Sequence, residues 1–367
     1  MSYTSPWLAS LSALYDPARQ NRRPELSLSH TAICGRAVQI TRRCLIERPF
    51  CRLIHLDRDV RRDDPCVLVI APLSGHFAAL LQDLLAALAP EHDVYFTDWT
   101  DAREVPVENG NFGVEENIGY VLDFMRYLGS GAHLLALCQA AMPALAATAL
   151  LAQHGDAAQP RTVALINGML DTRIEPTRID RLARSRSLRW LESTAVSTVP
   201  AGYPGQGRLV YPAGAQHAGL MAYLARHLAS GGELLGTVLY DDGASAAERP
   251  FLELYLSVMD LPAAFFLDTI NLVFHEFALP QHRLFWRGER VEPAAIAKTA
   301  LMTIEGEHDD VSAPGQTRVA HQLCPNIPRE RRMHYLQPGV GHFGTFHGRL
   351  WRNQVMPQIR AFIRAMA

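Results

Sequence analysis

The sequence predicts an α/β fold, in which a mostly parallel central sheet is flanked by helices and interrupted by a helical cap insertion. From about residue 49 onward, short apolar segments alternate with amphipathic helical segments, which is typical of βα units in a parallel sheet. This alternation stops between residues 167 and 300, and the interruption predicts the insertion. A hydrophobic fraction of 48% and a charged fraction of 20% provide enough apolar surface for a large core.

The individual elements are assigned from apolar runs and from helical periodicity. The predicted strands are Cys51–Leu56, Cys66–Ala71, Asp93–Asp98, His133–Cys138, Val163–Asn167, Ala300–Glu305 and His334–Gln337. The predicted helices between and after these strands are Ala78–Leu88, Val114–Leu128, Ala140–Gln153, Gly315–Leu323 and Leu350–Met366.

Changes in sequence texture divide the chain into an N-terminal part, a core and a cap. Residues 1–48 are Arg-rich without a clear period, and we expect an N-terminal arm or a helical segment there. Residues 49–169 and 291–367 form the predicted core, and residues 170–290 form the predicted cap or lid. The helical stretches predicted in the cap are Leu220–Ala229, Phe251–Val258 and Ala263–Phe277.

Charge and cysteine content exclude several classes of function. The 35 Lys and Arg residues nearly balance the 37 Asp and Glu residues, so we expect no sequence-independent binding of nucleic acid or of an anionic membrane. No apolar run reaches the roughly 18 residues of a membrane span. The six cysteines are dispersed, with no C-x-x-C pair, and the N-terminus does not resemble a signal peptide. We therefore expect a cytoplasmic protein.

No metal or cofactor site is predicted. The groups His308-Asp309-Asp310 and His275-Glu276 lack the spaced partners that a zinc or two-metal site needs. The phosphate-binding pattern G-x-x-x-x-G-K-[ST] does not occur. We therefore expect the chemistry to depend on the side chains of the chain alone.

The segment around Cys138 has the pattern of a nucleophile elbow. An apolar strand leads directly into Cys138, small residues lie two positions before and after it (Ala136 and Ala140), and an Ala-rich helical run follows. A sharp strand-to-helix turn needs such small flanks, and it exposes the central side chain above the sheet. This pattern predicts the α/β-hydrolase fold with a cysteine nucleophile. The backbone N–H of Gln139 would then be one donor of an oxyanion hole.

The general acid–base partner is predicted from chain order, because hydrolases of this architecture place nucleophile, acid and histidine in that order, each after a strand. His342 lies on a glycine-rich loop between the last predicted strand and the last helix, where a flexible backbone can direct the ring toward the thiol. His334 and His347 are the alternatives. We expect both of these to be surface histidines.

The carboxylate that orients this histidine is predicted in the loop after the strand Ala300–Glu305. Asp309 is the preferred candidate because a buried carboxylate there could hold the imidazole in one tautomer and stabilise its protonated form. Asp310 is the neighbouring alternative. A third possibility is that this acidic turn merely caps a helix, as Asp and Ser commonly do.

A second oxyanion donor is expected in the loop after the strand Cys66–Ala71. The turn Ser74-Gly75-His76 precedes a helical run, and such a turn can present a backbone N–H to a developing oxyanion. The donor could be Ser74 or Gly75, and the pattern does not distinguish them. The alternative is an ordinary βα turn in which a side chain caps the helix.

The chain resembles the intracellular poly(3-hydroxybutyrate) depolymerases, which are related to the polyhydroxyalkanoate synthases. The resemblance covers roughly residues 60–363. It depends on the segments APLSGHFAALLQDLL (71–85), DVYFTDWTDAREVP (93–106), ALCQAAMPALAA (136–147), NGMLDTRIEPTRI (167–179), LYLSVMDLPAAFF (254–266), IEGEHDDVSAPGQT (304–317) and LQPGVGHFGTFHGRLWRN (336–353).

The resemblance implies that Cys138 is the nucleophile and that Asp309 and His342 are the acid and base. It also implies a polyester of (R)-3-hydroxyalkanoate units, or 3-hydroxybutyrate oligomers, as substrate, cleaved at storage granules. The family pattern usually reads Cys-Gln-Pro, whereas Ala140 stands in the third position here. This difference makes the turn sterically easier and weakens any inference of identical substrate placement.

The expected reaction is a two-step acyl transfer with a thioester on Cys138 as the intermediate. Water would release the acid, and coenzyme A as the acceptor would instead yield a thioester product. The alternatives are another esterase or thioesterase, a synthase-like acyltransferase, and a granule-binding protein without catalytic activity. The pattern makes no prediction of oligomeric state.

Overall fold

A large central sheet organises the structure, a computed structural model that describes residues 23–229 and 254–366. The strands in chain order are β1 (His30–Ile33), β2 (Arg36–Arg48), β3 (Cys51–Arg58), β4 (Cys66–Ile70), β5 (Asp93–Trp99), β6 (His133–Leu137), β7 (Thr162–Ile166), β8 (Ser197–Thr198), β9 (Leu209–Tyr211), β10 (Leu261–Pro262), β11 (Phe285–Trp286), β12 (Glu289–Arg290), β13 (Ala300–Gly306) and β14 (Arg332–Gln337).

The central sheet has nine strands in the order β1-β2-β3-β5-β4-β6-β7-β13-β14. The six strands from β5 to β14 in this order are mutually parallel, whereas β1, β2 and β3 join the β5 edge as an antiparallel extension. The fold is therefore that of an α/β-hydrolase, as the sequence predicts.

The helices flank this sheet or belong to the segment between β7 and β13. They are α1 (Gln82–Leu88), α2 (Val114–Leu128), α3 (Ala141–Gln153), α4 (Arg178–Arg184), α5 (Leu188–Ala195), α6 (Ala213–Ala229), α7 (Ala263–Thr269), α8 (Ala320–Leu323), α9 (Gly348–Leu350) and α10 (Met356–Met366). Two π-helical segments, Ile270–His275 and Trp351–Val355, follow α7 and α9. Among the residues described, no helix is both long and apolar enough to cross a membrane.

The core lies around β4, β6, β7 and β13. Every residue of β6, β7 and β13 is buried, because a parallel strand in the middle of such a sheet is covered on both faces. The helix α3 is buried along almost its whole length, which its Ala-rich and Leu-rich composition allows. This helix begins directly behind Cys138, so the best-packed part of the molecule supports the candidate nucleophile.

All seven strands predicted from the sequence are present, each within two residues of its predicted bounds. The predicted helix Gly315–Leu323 is wrong in its first half, since only Ala320–Leu323 is α-helical. Gly315 has a left-handed φ of 103°, which an α-helix does not permit. The carboxylate of Glu305 accepts the N–H groups of Gly315, Thr317 and Arg318 at 2.8–2.9 Å, so this segment forms a turn around that side chain.

Residues 30–48 form the strands β1 and β2, so the expectation of an arm or a helical segment over residues 1–48 requires correction. The sheet begins before residue 49. β2 is mostly exposed and owes its conformation to pairing with β1 and β3 rather than to an apolar pattern of its own. Cys34 and Gly35, both with positive φ, form the two-residue hairpin loop between β1 and β2. Residues 1–22 lie outside the described part.

The segment between β7 and β13 contains the helices α4 to α7, as a helical cap predicts, and two small sheets in addition. One sheet has the order β10-β9-β8, and the other is the hairpin β11-β12. Of the predicted helix Phe251–Val258, residues 251–253 lie outside the described part and 254–256 are helical. The boundaries 170–290 stay a prediction.

Buried charge attaches this cap to the core. The guanidinium of Arg208 donates hydrogen bonds to the backbone carbonyls of Val105, Pro106 and Gly110 at 2.5–2.9 Å. A second guanidinium, Arg103, bonds the carboxylate of Asp260 at 2.9 Å. Charged donors satisfied by several acceptors hold two surfaces in one relative position more strongly than neutral hydrogen bonds do.

Helix α3 packs closely against Gly168, just after β7, so Gly168→Ala should destabilise the fold. A Cβ at this position would lie 2.3 Å from the Cβ of Ala141, so the substitution should lower the free energy of unfolding by about 1–3 kcal/mol. Gly219→Ala is the matched control. Gly219 lies in α6 with no atom within 4 Å of the added Cβ, and this change should raise the free energy of unfolding by about 0.5–1 kcal/mol. Denaturant titration of both variants measures the difference, and equal effects would contradict the packing argument.

Candidate active site

The candidate residues lie at one edge of the sheet. β6, β7, β13 and β14 are parallel neighbours, so their carboxyl ends meet at the same edge. Cys138 follows β6, Asn167 follows β7, Asp309 follows β13 and His342 follows β14. The topology therefore brings residues that are up to about 200 positions apart in sequence to adjacent loops. In open parallel sheets, ligands bind at this edge, outside the carboxyl ends of the strands.

Cys138 occupies a strained turn between β6 and α3. Its φ is 51°, in the left-handed region that a residue with a side chain seldom adopts, and such a conformation costs on the order of 1–3 kcal/mol. Ala136 and Ala140 are buried on either side of the turn. The backbone geometry is that of a nucleophile elbow. The Cys138 residue is 9% exposed.

His342 and Asp309 form a buried pair. The Nδ1 of His342 lies 2.7 Å from Oδ2 of Asp309, and both side chains are almost inaccessible to solvent. The other oxygen of Asp309, Oδ1, accepts the backbone N–H groups of Val311 and Ser312, each at 2.8 Å. The carboxylate is therefore fixed on both of its oxygens, and it can hold the ring of His342 in one orientation.

The electrostatic surroundings of His342 favour its protonated form. Burial by itself would lower the pKa of His342. The charges of Asp309 and Cys138, and the hydrogen bonds that the ring donates to both side chains, raise this pKa well above its usual value. The thiol of Cys138 thus lies within hydrogen-bonding reach of the imidazole. An imidazolium beside a sulfur stabilises the thiolate, which is the nucleophilic form.

Asn167 holds the backbone of His342, a role that the sequence analysis did not assign. Its Nδ2 donates to the carbonyl of His342 at 2.6 Å and to Oγ1 of Thr345 at 2.7 Å, and Thr345 in turn bonds the same carbonyl. Asn167 is buried and has a φ of 49°. The signal available in the sequence was an Asn directly after a buried strand, since Asn tolerates the left-handed conformation better than most residues.

Asp310 bonds the cap rather than supporting the imidazole as Asp309 does. Its two oxygens bond the hydroxyl of Tyr223 at 2.7 Å and the guanidinium of Arg226 at 3.1 Å, both on the cap helix α6. Adjacent residues of one loop therefore have different partners. Asp309 bonds the candidate base, and Asp310 bonds the cap.

The two alternative histidines are placed away from Cys138. Nδ1 of His347 lies 2.7 Å from Oδ2 of Asp83. Nδ1 of His334 lies 2.9 Å from Oγ1 of Thr303, within β13. Both rings are partly buried rather than fully exposed, so the expectation of plain surface histidines requires correction: each ring packs beside a hydrogen-bonding partner from another element.

The backbone N–H of Gln139 lies at the start of a helical turn, where N–H groups have no acceptor within the helix. The side chain of Gln139 contacts the cap, with Nε2 donating to Oγ1 of Thr269 at 3.2 Å.

A small apolar cavity of about 10 Å³ lies beside Gln139 and has room for one water-sized sphere. This cavity is lined by Val114, Gln139, Met142, Pro143, Met169, Phe265, Thr269 and Val273.

The Ser74-Gly75 turn is held between the core and the cap. Gly75 has a φ of 101°, and a Cβ there would collide with the side-chain amide of Gln216 on α6. The carbonyl of Gly75 accepts the N–H of Met259 at 2.8 Å. The N–H groups of Ser74 and Gly75 make no hydrogen bond to any other described residue, so both stay candidates for the second oxyanion donor.

A larger cavity of about 550 Å³ opens on the acid side of the site. It is lined by both Asp309 and Asp310 and by arginines of the cap, namely Arg178, Arg181 and Arg226. Within residues 23–229 and 254–366, no group of three or more His, Cys, Asp or Glu side chains is arranged to hold a metal ion.

Comparison with known families identifies one match. The sequence profile described as "PHB de-polymerase C-terminus" matches residues 167–367, which is more than half of the chain. The matched segment includes the loops of Asp309 and His342 and lies downstream of Cys138. No curated protein sequence matches the chain.

Comparison with solved structures shows the fold. A bacterial membrane phospholipase A superposes with a TM-score of 0.51 at 14% identity, covering 89% of this chain and 86% of that one. A hydrolase from Pseudomonas aeruginosa PA01 superposes with a TM-score of 0.51 at 15% identity, covering 88% of this chain and 98% of that one. An enol-lactonase from Burkholderia xenovorans LB400 superposes with a TM-score of 0.50 at 15% identity, covering 91% of this chain and 99% of that one. At these identities the likeness concerns the fold alone.

The different partners of Asp309 and Asp310 predict different effects of their replacement. Asp309→Asn should lower kcat for ester hydrolysis by about two to four orders of magnitude, because the amide no longer orients and stabilises the His342 imidazolium. Asp310→Asn should keep kcat within about tenfold and mainly lower the thermal transition, because it weakens two contacts to the cap. Steady-state kinetics and thermal unfolding of the two purified variants test this. Equal losses of kcat would contradict the assignment of the acid.

The raised pKa of His342 predicts the pH dependence of the same pair of variants. The protonated imidazole can donate a proton to a leaving alcohol, so activity should fall as pH rises through the pKa of His342. The Asp309 charge raises that pKa, so Asp309→Asn should move the alkaline limb of kcat/KM to lower pH. Asp310→Asn should not move it. An unshifted limb in Asp309→Asn would show that Asp309 does not set the protonation of the base.

Proposed function

The chain belongs to the PHB depolymerase family, and from this premise we propose that it hydrolyses poly(3-hydroxybutyrate) or its oligomers through a covalent thioester on Cys138. Family membership and the hydrolase fold support the general activity of an ester hydrolase. The observation that favours the cysteine mechanism is the strained elbow of Cys138 beside the buried His342–Asp309 pair.

In the first step, the thiolate of Cys138 attacks the ester carbonyl and forms the carbon–sulfur bond. The negative charge moves to the carbonyl oxygen, where the N–H of Gln139 and a second N–H from Ser74 or Gly75 stabilise it. The carbonyl then re-forms as the carbon–oxygen bond to the alcohol breaks. The imidazolium of His342 donates its proton to the departing alkoxide, which leaves as the alcohol end of the polymer. The enzyme retains the acyl group as a thioester.

In the second step, the loss of the thiolate charge changes the base. The negative charge of Cys138 is one of the two that raise the pKa of His342, and acylation removes it. The pKa of His342 is therefore lower in the acyl-enzyme. The imidazole has already given its proton to the alcohol, so it is neutral and can act as a base. It takes a proton from a water molecule, whose oxygen attacks the thioester carbonyl. The carbon–sulfur bond breaks, the acid is released, and the thiolate–imidazolium pair returns.

The acceptor in the second step determines the product. Water yields the free acid, whereas the thiol of coenzyme A would yield an acyl-coenzyme A ester from the same intermediate. We propose water as the ordinary acceptor and an intracellular storage granule as the site of action. Analysis of the product, free acid or coenzyme A ester, tests the choice of acceptor.

The decisive test compares Cys138→Ala with the parent protein on native amorphous poly(3-hydroxybutyrate) granules. The parent should reduce the turbidity of the suspension and release soluble 3-hydroxybutyrate, and the variant should lose at least about a thousandfold of this rate because no nucleophile remains at the elbow. Cys34→Ala is the matched control, since Cys34 is exposed in the hairpin between β1 and β2 and should be dispensable. Product chromatography with and without coenzyme A identifies the acceptor.

Each outcome distinguishes a different alternative. Hydrolysis by Cys138→Ala at the parental rate would exclude the covalent mechanism. Binding of the parent to granules without release of product would favour a binding protein without catalytic activity. Polymer formation from 3-hydroxybutyryl-coenzyme A would favour a synthase-like acyltransferase. Hydrolysis of short esters but not of granules or oligomers would favour another esterase.

A further inference from the structure

A buried histidine that the proposed mechanism does not use lies beside the candidate oxyanion loop. His76 directly follows Ser74 and Gly75 and is 9% exposed. Its Nε2 atom is fully buried and has no hydrogen-bond partner among residues 23–229 and 254–366. A buried acceptor without a donor lowers the free energy of unfolding by about 1–3 kcal/mol. A bound ligand that donates to this atom would offset that loss, so the unpaired atom needs an explanation.

The surroundings of His76 determine what its Nε2 can do. The ring bonds the backbone carbonyl of Tyr255, and because Nε2 has no partner this bond uses the Nδ1 proton. Burial lowers the pKa of His76 to about 4, a shift that the bond to Tyr255 opposes and the nearby charge of His342 reinforces. The ring is therefore neutral at neutral pH. With its proton on Nδ1, it presents a lone pair at Nε2 and accepts a hydrogen bond there.

Aromatic contacts connect His76 to the candidate base. The His76 ring stacks on Tyr255 with centroids 5.2 Å apart, Tyr255 meets the ring of Phe343 edge-on at 5.0 Å, and Phe343 lies 5.3 Å from the ring of His342. A backbone bridge between His76 and Val258 holds the same turn against the cap segment. The position of His76 is thus set by the residues that enclose the catalytic histidine.

We propose that Nε2 of His76 accepts a hydrogen bond from a hydroxyl group on the β-carbon of the acyl unit being transferred. This inference rests on the proposed function. In a 3-hydroxyacyl ester, the hydroxyl oxygen is only three bonds from the carbonyl carbon, so a carbonyl oxygen held by the Ser74-Gly75 turn brings the hydroxyl near the next residue of that turn. A neutral acceptor suits this hydroxyl, which must donate its proton.

The proposal also defines which part of a polyester the site selects. Inside the polymer, each β-oxygen is esterified and has no proton to donate. Only the unit at the hydroxyl end of a chain has a free β-hydroxyl. Recognition by His76 therefore favours removal of one 3-hydroxyacyl unit at a time from the hydroxyl end, with the monomeric acid as the product.

The test measures a ratio of kcat/KM values for two activated esters, 4-nitrophenyl (R)-3-hydroxybutyrate and 4-nitrophenyl butyrate, from the release of nitrophenol. His76→Phe keeps the stacking on Tyr255 and removes the acceptor. We expect the ratio of the hydroxylated to the unsubstituted ester to fall by about tenfold to a hundredfold. His76→Gln keeps an acceptor near the former Nε2 position and should restore part of the ratio. A loss of kcat/KM that is the same for both esters leaves this ratio unchanged.

The matched control is His92→Phe. His92 is also buried, and burial also lowers its pKa, but its Nδ1 bonds the carbonyl of Leu88 outside the site. This variant should keep the parental ratio. Thermal unfolding of all variants shows whether they fold. An unchanged ratio in His76→Phe, or a ratio that falls equally in His92→Phe, would overturn the proposal.

The readout is separate from the proposed depolymerase function. If the parent hydrolyses both esters but neither granules nor oligomers, the proposed function fails while the ratio still measures hydroxyl recognition. If the parent degrades granules and His76→Phe keeps the parental ratio, the proposed function stands and the role of His76 is wrong.

Discussion

The left-handed backbone of Cys138 is the constraint on which the arrangement of the candidate site depends. Such a conformation persists only where the surrounding structure over-determines it. Here β6 is buried on both faces before the turn, and α3 is buried along almost its whole length after it. Gly168 allows α3 to lie against the end of β7 without a Cβ between them. Core packing thus stabilises the strained turn that presents the thiol.

The cap and the candidate acid share one loop. Asp309 bonds His342 within the core, and the next residue, Asp310, bonds Tyr223 and Arg226 on the cap helix. The loop that orients the imidazole therefore also contacts the cap helix α6. Adjacent residues of one loop thus join the candidate acid–base pair to the cap.

Burial determines the strength of the charge interactions in the site. His342 and Asp309 are almost inaccessible to solvent, so little water screens the attraction between them. Burial also keeps His76 neutral, because it penalises the charged form of the ring and lowers its pKa to about 4. Among the residues that the structure describes, His342 has a carboxylate partner and His76 has none, so the pKa values of the two buried histidines shift in opposite directions.

The sequence by itself determined the strand order along the chain and the chain order of Cys138, Asp309 and His342, because apolar runs and small flanking residues are local signals. It did not reveal β1 and β2, whose exposed strands depend on pairing with neighbours. The tertiary structure decided between Asp309 and Asp310, since it is Asp309 that bonds the imidazole of His342. The loop pattern favours Asp309 but leaves its neighbour Asp310 as an alternative, because the partner of each carboxylate comes from a distant element: His342 for Asp309, and the cap helix α6 for Asp310.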